Sequence, residues 1–162
     1  MKRHLAATIG LLGALAVSGG AYADSLEFEA ELSGDEEVPP VVTDAEGDAK
    51  FEVNSDLTEI EFEFEVKDGV GILGAAGAHI HCAPLGEEGP VVVFLAGDAP
   101  PAGFQDKVEM KGTFTAEQIT NDACGGTIEA LVEAMRLGDT YVNVHSIANP
   151  GGEVRGQIEL DD

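Results

Sequence analysis

The stretch "TEIEFEFEVKDG" sets Ile60, Phe62, Phe64 and Val66 against glutamates at every intervening position from Glu59 to Glu65. Successive side chains of an extended chain leave on opposite faces, so a period of two makes one face apolar and the other charged. The segment is therefore committed to a strand that buries one side and wets the other. "SLEFEAELSG" repeats the pattern, with Leu26, Phe28, Ala30 and Leu32 against Glu27, Glu29 and Glu31. The series continues through "DAKFEV", "AHIHC", "PVVVFL", "DKVEMKGTF", "TYVNVHS" and "GEVRGQIEL". "NSDLT", between "DAKFEV" and the glutamate-rich strand, reads as a hairpin turn.

About eight short strands separated by turn residues point to a β-sandwich or barrel. The expected fold is all-β, a Greek-key β-sandwich of the immunoglobulin-like or Cu/Zn-superoxide-dismutase-like kind, with one short inserted helix. That helix is "TIEALVEAMRLGD". Ile128, Leu131, Val132 and Met135 fall on one face, Thr127 caps the start and Gly138 the end. "TAEQIT" carries Thr115 and Gln118 at capping-box spacing and opens one helical turn. "GDAPPAGF", Gly97 to Phe104, is a Pro/Gly loop inside the domain. Pro39 and Pro40 of "EVPP" are expected where an edge strand ends.

Lys2 and Arg3, an apolar run from Leu5 to Val17, and the small-x-small end Ala21-Tyr22-Ala23 form a secretory signal peptide over residues 1–23. The run is too short for a membrane-spanning helix. Residues 24–162 then make one domain, secreted or periplasmic, with no membrane insertion after signal removal. The formal net charge is −23, and it becomes more negative once Lys2 and Arg3 leave. Such a surface repels nucleic acid and anionic lipid and attracts cations or basic partners. The acids are dispersed, which reads as a solubilising surface that also suits a saline habitat.

In an "AHIHC" strand, His79 and His81 project to one face, with Cβ atoms about 7 Å apart and within reach of one ion. Ile80 and Cys82 project to the other. Cys82 therefore points away from that ion. Cys124 is the chain's other cysteine, and in an exported protein the two make one disulfide, the alternative being two free thiols. In "YVNVHS", Val142 and Val144 share a core face while Tyr141, Asn143 and His145 share the outer one. His79, His81 and His145 thus form a candidate three-imidazole site for copper or zinc, with a fourth position for water or a carboxylate. The alternative is a hydrogen-bonded cluster with no ion. Arg155 and Glu153 are candidates for a structural clamp, with Arg155 reaching Glu153, Asp139 or a rim carboxylate. No Ser-His-Asp spacing, phosphate-cradling glycine loop or CxxC motif appears, so no catalytic residue is assigned.

"LSGDEEVPPVVTDAEGDAKFEV", "AHIHCAPLGEEGPVVVFL" and "YVNVHSIANPGGEVRGQIEL" together resemble the signature blocks of the CHRD domain, named from chordin, over roughly Ser25 to Leu160. The resemblance implies a small exported all-β domain with a binding or structural role and no established reaction. His79, His81 and His145 match the family's histidine positions, while Cys82 and Cys124 match a pair found in some members. Two cysteines are too few for the cysteine-rich modules that accompany the domain in chordin, so growth-factor binding does not carry over. Three readings follow. The first is a non-enzymatic binding or structural module with an unknown extracellular or periplasmic partner. The second is a copper- or zinc-binding protein. The third is a copper redox enzyme resembling superoxide dismutase.

Overall fold

A computed structural model describes residues 26–73, 77–96 and 103–161. The expected signal peptide of residues 1–23 lies outside the described residues, as does most of the "GDAPPAGF" loop. Among the described residues nine strands and one α-helix follow in chain order. They are β1 (Leu26–Ser33), β2 (Glu46–Val53), β3 (Glu59–Ile72), β4 (Ala78–Cys82), β5 (Val91–Ala96), β6 (Phe104–Thr115), α1 (Ile128–Arg136), β7 (Thr140–Val144), β8 (Val154–Gln157) and β9 (Glu159–Leu160). The fold is all-β, as the alternation requires.

The strands form one antiparallel sheet in the order β5-β4-β7-β8-β1-β2-β3-β6, with β9 also paired to β1. Its two ends approach each other. Val93 of β5 bridges Ile119, which follows β6, and the Thr120 amide donates to the Val92 carbonyl at 2.9 Å. The sheet is thereby nearly closed into a barrel.

Register stacks the apolar positions in rows. Phe28 faces Phe51, Phe51 faces Phe62, and Phe62 faces Gly112. A Cβ at position 112 would sit 3.1 Å from the Phe62 ring, so the glycine makes room for the ring beside it. The next row sets Ala30 against Ala49 and Ala49 against Phe64. A row of large rings thus lies beside a row that is mostly small, and the two fill one core.

The outer rows are charged. Glu27, Glu52 and Glu61 lie side by side, and so do Glu31, Asp48, Glu65 and Glu109. Like charges directly opposite one another oppose the pairing that the inner face drives. Lys67 reaches Glu46 at 3.2 Å, and Lys107 reaches Glu65 at 2.7 Å and Glu109 at 3.4 Å. These exposed, solvent-screened pairs offset little of that repulsion.

The helix forms where its periodicity places it. The Thr127 side chain accepts the Ala130 amide at 3.2 Å, and Gly138 takes a left-handed φ of 72° just past the end. Ile128, Leu131, Val132 and Met135 are buried. "TAEQIT" forms a single 3-10 turn with the capping box at Thr115 and Gln118. Cys82, at the end of β4, and Cys124, ahead of α1, are joined with Cα atoms 5.8 Å apart. The bridge ties the helix approach to the end of β4.

One expectation fails. Pro39 and Pro40 do not end an edge strand, because β1 has β2 on one side and β8 and β9 on the other. They lie in the connection to β2, beyond a 3-10 turn at Gly34–Glu36. That connection contributes to a cover over the outer side of the sheet. All five residues of β7 are buried, although only Val142 and Val144 face the core.

Two outcomes are expected. The urea midpoint rises between about 0.1 M and about 1 M NaCl as the Debye length shrinks from about 10 Å to about 3 Å and the acidic rows stop repelling; a flat or falling midpoint contradicts this. The Cys82→Ser/Cys124→Ser pair, whose bridge spans a separation of 42 residues, loses about 4 kcal/mol of unfolding free energy. A measured loss under about 1 kcal/mol would mean that the bridge does not constrain the unfolded chain.

Candidate metal centre

Hydrogen-bonded pairing places His79 opposite Asn143 and His81 opposite Tyr141, on neighbouring strands β4 and β7. His145 follows β7 directly, and its amide donates to the Gly77 carbonyl just ahead of β4. The pleat sends Ile80, Val142 and Val144 into the core and the histidines to the other side. His79, His81 and His145 each offer a ring nitrogen, and these atoms all lie within 4.8 Å of one another. The side chain of Cys82 is taken by Cys124 and is not part of the cluster.

Backbone carbonyls orient two of the rings. His81 Nδ1 lies 2.9 Å from the Gly89 carbonyl, and His145 Nδ1 lies 3.1 Å from the Pro150 carbonyl. A carbonyl only accepts, so both Nδ1 atoms carry the proton and both Nε2 atoms carry the lone pair in the neutral ring. His79 Nδ1 is 3.0 Å from His145 Nε2 and therefore donates to it. His81 Nε2 is buried with no hydrogen-bond partner. Burial holds the His81 pKa below its ordinary 6.5, with the Arg155 charge acting in the same direction and the Gly89 carbonyl against it. Burial also lowers the pKa of His145, aided by His81 and opposed by the Pro150 carbonyl. Both rings are thus neutral at pH 7, the state a metal requires.

This donor set fits a transition metal. Ring nitrogens bound to one tetrahedral ion sit about 3.3 Å apart, so small ring rotations would close the cluster onto it. An imidazole whose other N–H is held by a carbonyl is the usual outer arrangement around a ligating histidine.

Several neighbours carry no metal-ligand signature in sequence. The Tyr141 ring stacks on His81 with centroids 4.8 Å apart and planes at 15°. Its hydroxyl accepts the Gly89 amide at 3.3 Å, and the carbonyl of that same glycine accepts from His81. Tyr141 thereby closes a loop of contacts around His81. The alternation of "YVNVHS" puts Tyr141 on the histidine side, but only the return of the chain at Gly89 gives it a purpose there. Phe94 meets His79 edge-on at 4.7 Å.

Arg155 and Glu153 do not pair with each other. The Arg155 guanidinium lies over the Tyr141 ring, with Cζ 3.5 Å from the centroid. Glu153 instead accepts from the hydroxyls of Thr43 and Ser146 and from the Asn149 amide at 2.6 Å. Burial works against its charge, but these donors outweigh it and hold its pKa low. Glu153 so joins the loop after β1 to the loop after β7. Glu37 is 7% exposed and accepts from Asn143 Nδ2 at 3.2 Å. Burial pushes its pKa up to about 7, against the opposing effects of Asn143 and Arg155. Gly152 lies against this carboxyl, since a Cβ there would fall 2.4 Å from Glu37 Oε1.

A carboxyl harder to ionise in the folded chain than in the unfolded one removes stability as pH rises. For Glu37 the loss begins near 4.5 and is complete just above about 7, amounting to at most about 3 kcal/mol. Glu37→Gln is therefore expected to gain on the parent protein between pH 4 and 8, roughly over that window, in urea unfolding. The lowered histidine pKa values act below 6.5; there stability falls as pH falls, equally in both proteins. A pH-independent difference between the two contradicts the assignment.

The family model described as CHRD domain matches residues 28–158 of the chain. No curated protein matches it.

Proposed function

The chain belongs to the CHRD domain family, and from that premise we propose that it is an exported, non-enzymatic binding module whose ligand is a copper or zinc ion held by His79, His81 and His145. The observation that carries this reading is the convergence of three imidazole nitrogens within 4.8 Å of one another. His81 and His145 are neutral near pH 7 with Nδ1 held by backbone carbonyls, so the Nε2 lone pair of His81 is available at once and that of His145 is freed when an ion displaces the His79 Nδ1 donor, which supports metal uptake near neutral pH. Copper and zinc both suit imidazole donors. The bound ion would bring Lewis acidity, and copper would add one-electron chemistry. The chain's own residues would orient the rings and limit water access. Export is supported by the signal peptide in the sequence and by cysteines at bonding distance, a pairing that persists in oxidising compartments.

A second reading has one observation in its favour. The His79–His145 hydrogen bond at 3.0 Å satisfies two of the rings with no ion, as a purely structural polar cluster would. The two readings diverge in a titration. The purified full-length exported protein is expected to take up one equivalent of Cu(II) or Zn(II), and His81→Ala is expected to bind about 100-fold more weakly. Isothermal calorimetry and elemental analysis read both quantities. Equal, weak binding by the two proteins would leave only the structural module.

A further inference from the structure

Arg155 heads the fully buried side chains in size, at 2% exposure. A guanidinium that deep in a protein ordinarily meets a carboxylate. Among the described residues no carboxylate oxygen lies within 4 Å of it, since the ion pairs are those of Lys67 and Lys107. Nη2 of Arg155 has no hydrogen-bond partner. Its Cζ lies 3.5 Å from the centroid of the Tyr141 ring, and that ring stacks on His81. One aromatic ring thus relates a permanent positive charge, with no carboxylate oxygen within 4 Å among the described residues, to a metal-ligand candidate.

The surrounding carboxyls do not cancel that charge at the site. Glu37 has its pKa pushed up to about 7 and is partly neutral at physiological pH. Glu153 is engaged by Thr43, Ser146 and Asn149. The ligand cluster itself contains histidines alone, so the donors add no negative charge.

We propose that Arg155 makes the three-histidine centre selective by ionic charge, favouring Cu(I) over the divalent ions Zn(II) and Cu(II). This rests on the metal-binding reading above. Imidazole accepts copper and zinc alike, so the donors discriminate poorly. Repulsion from a fixed guanidinium grows with each unit of charge on the ion and is only weakly screened in a buried site. A divalent ion therefore meets twice the penalty of a monovalent one. The planar stack keeps the charge in place, because tyrosine's face attracts it and the chain around Gly89 holds the tyrosine.

The test compares full-length wild type, Arg155→Met and Arg155→Lys. Cu(I) affinity is read anaerobically by competition with a chromophoric Cu(I) chelator, and Zn(II) affinity with a chromophoric Zn(II) chelator. Near-UV circular dichroism confirms folding, and Arg155→Gln replaces Arg155→Met if the latter does not fold. The expected result is a rise of about tenfold in Zn(II) affinity relative to Cu(I) in Arg155→Met, with the wild-type ratio kept in Arg155→Lys. Parallel loss of both affinities, or an unchanged ratio in Arg155→Met, would overturn charge selectivity and leave the metal site standing. Failure of wild type to bind either ion would overturn the metal-binding reading itself, and this inference with it.

Discussion

The cover over the outer face of β7 takes Tyr141, Asn143 and the residues beside them out of water, and the chemistry of the molecule follows from that desolvation. An exposed strand would leave the histidines hydrated and protonatable near their ordinary pKa. Beneath the cover, burial keeps His81 and His145 neutral and raises the pKa of Glu37. Most buried polar groups are hydrogen-bonded, and the covering chain supplies several of the partners here. Gly89 and Pro150 offer the carbonyls that hold two imidazoles, and Gly89 also donates to Tyr141. The same segments that exclude water thus orient the rings.

The cover is held by ties of different kinds. Glu153 gathers three donors from two loops that are far apart in sequence. Gly152 lets the loop after β7 approach the Glu37 carboxyl more closely than any side chain would allow. The Cys82–Cys124 bridge secures the end of β4, one residue beyond His81. A site built on two paired strands and pinned at its edges is more exact in geometry than one carried by a free loop.

Two opposed electrostatic environments meet in this chain. The outer rows of β1, β2, β3 and β6 carry glutamates side by side and give the surface its net negative charge. That field gathers cations at long range and is screened by salt. The interior of the covered face has the reverse character, with the neutral imidazoles of His81 and His145, a carboxyl of raised pKa and a guanidinium whose Nη2 has no hydrogen-bond partner. The long-range field of the surface and the local charge beneath the cover thus come from separate residues.

Much of the framework was legible from alternation alone. Phe28, Ala30 and Leu32 declare their inner face, "AHIHC" matches β4 residue for residue, and Thr127 and Gly138 bound the helix. Pro39 and Pro40 were misread because proline signals an interrupted ladder but not which strands lie alongside. Sequence alone also determined that His79 and His81 share one face of their strand, opposite Ile80, and that His145 lies opposite Val142 and Val144 on its own, since pleating is a local property of the backbone. Only tertiary structure decided that β4 and β7 are neighbours and that the far side of β7 is covered. The same holds for Glu37, which meets Asn143 across 106 residues, and for Arg155, which rests on Tyr141 rather than on a carboxylate. These depend on which distant segments come together, and no periodicity within a single strand encodes that.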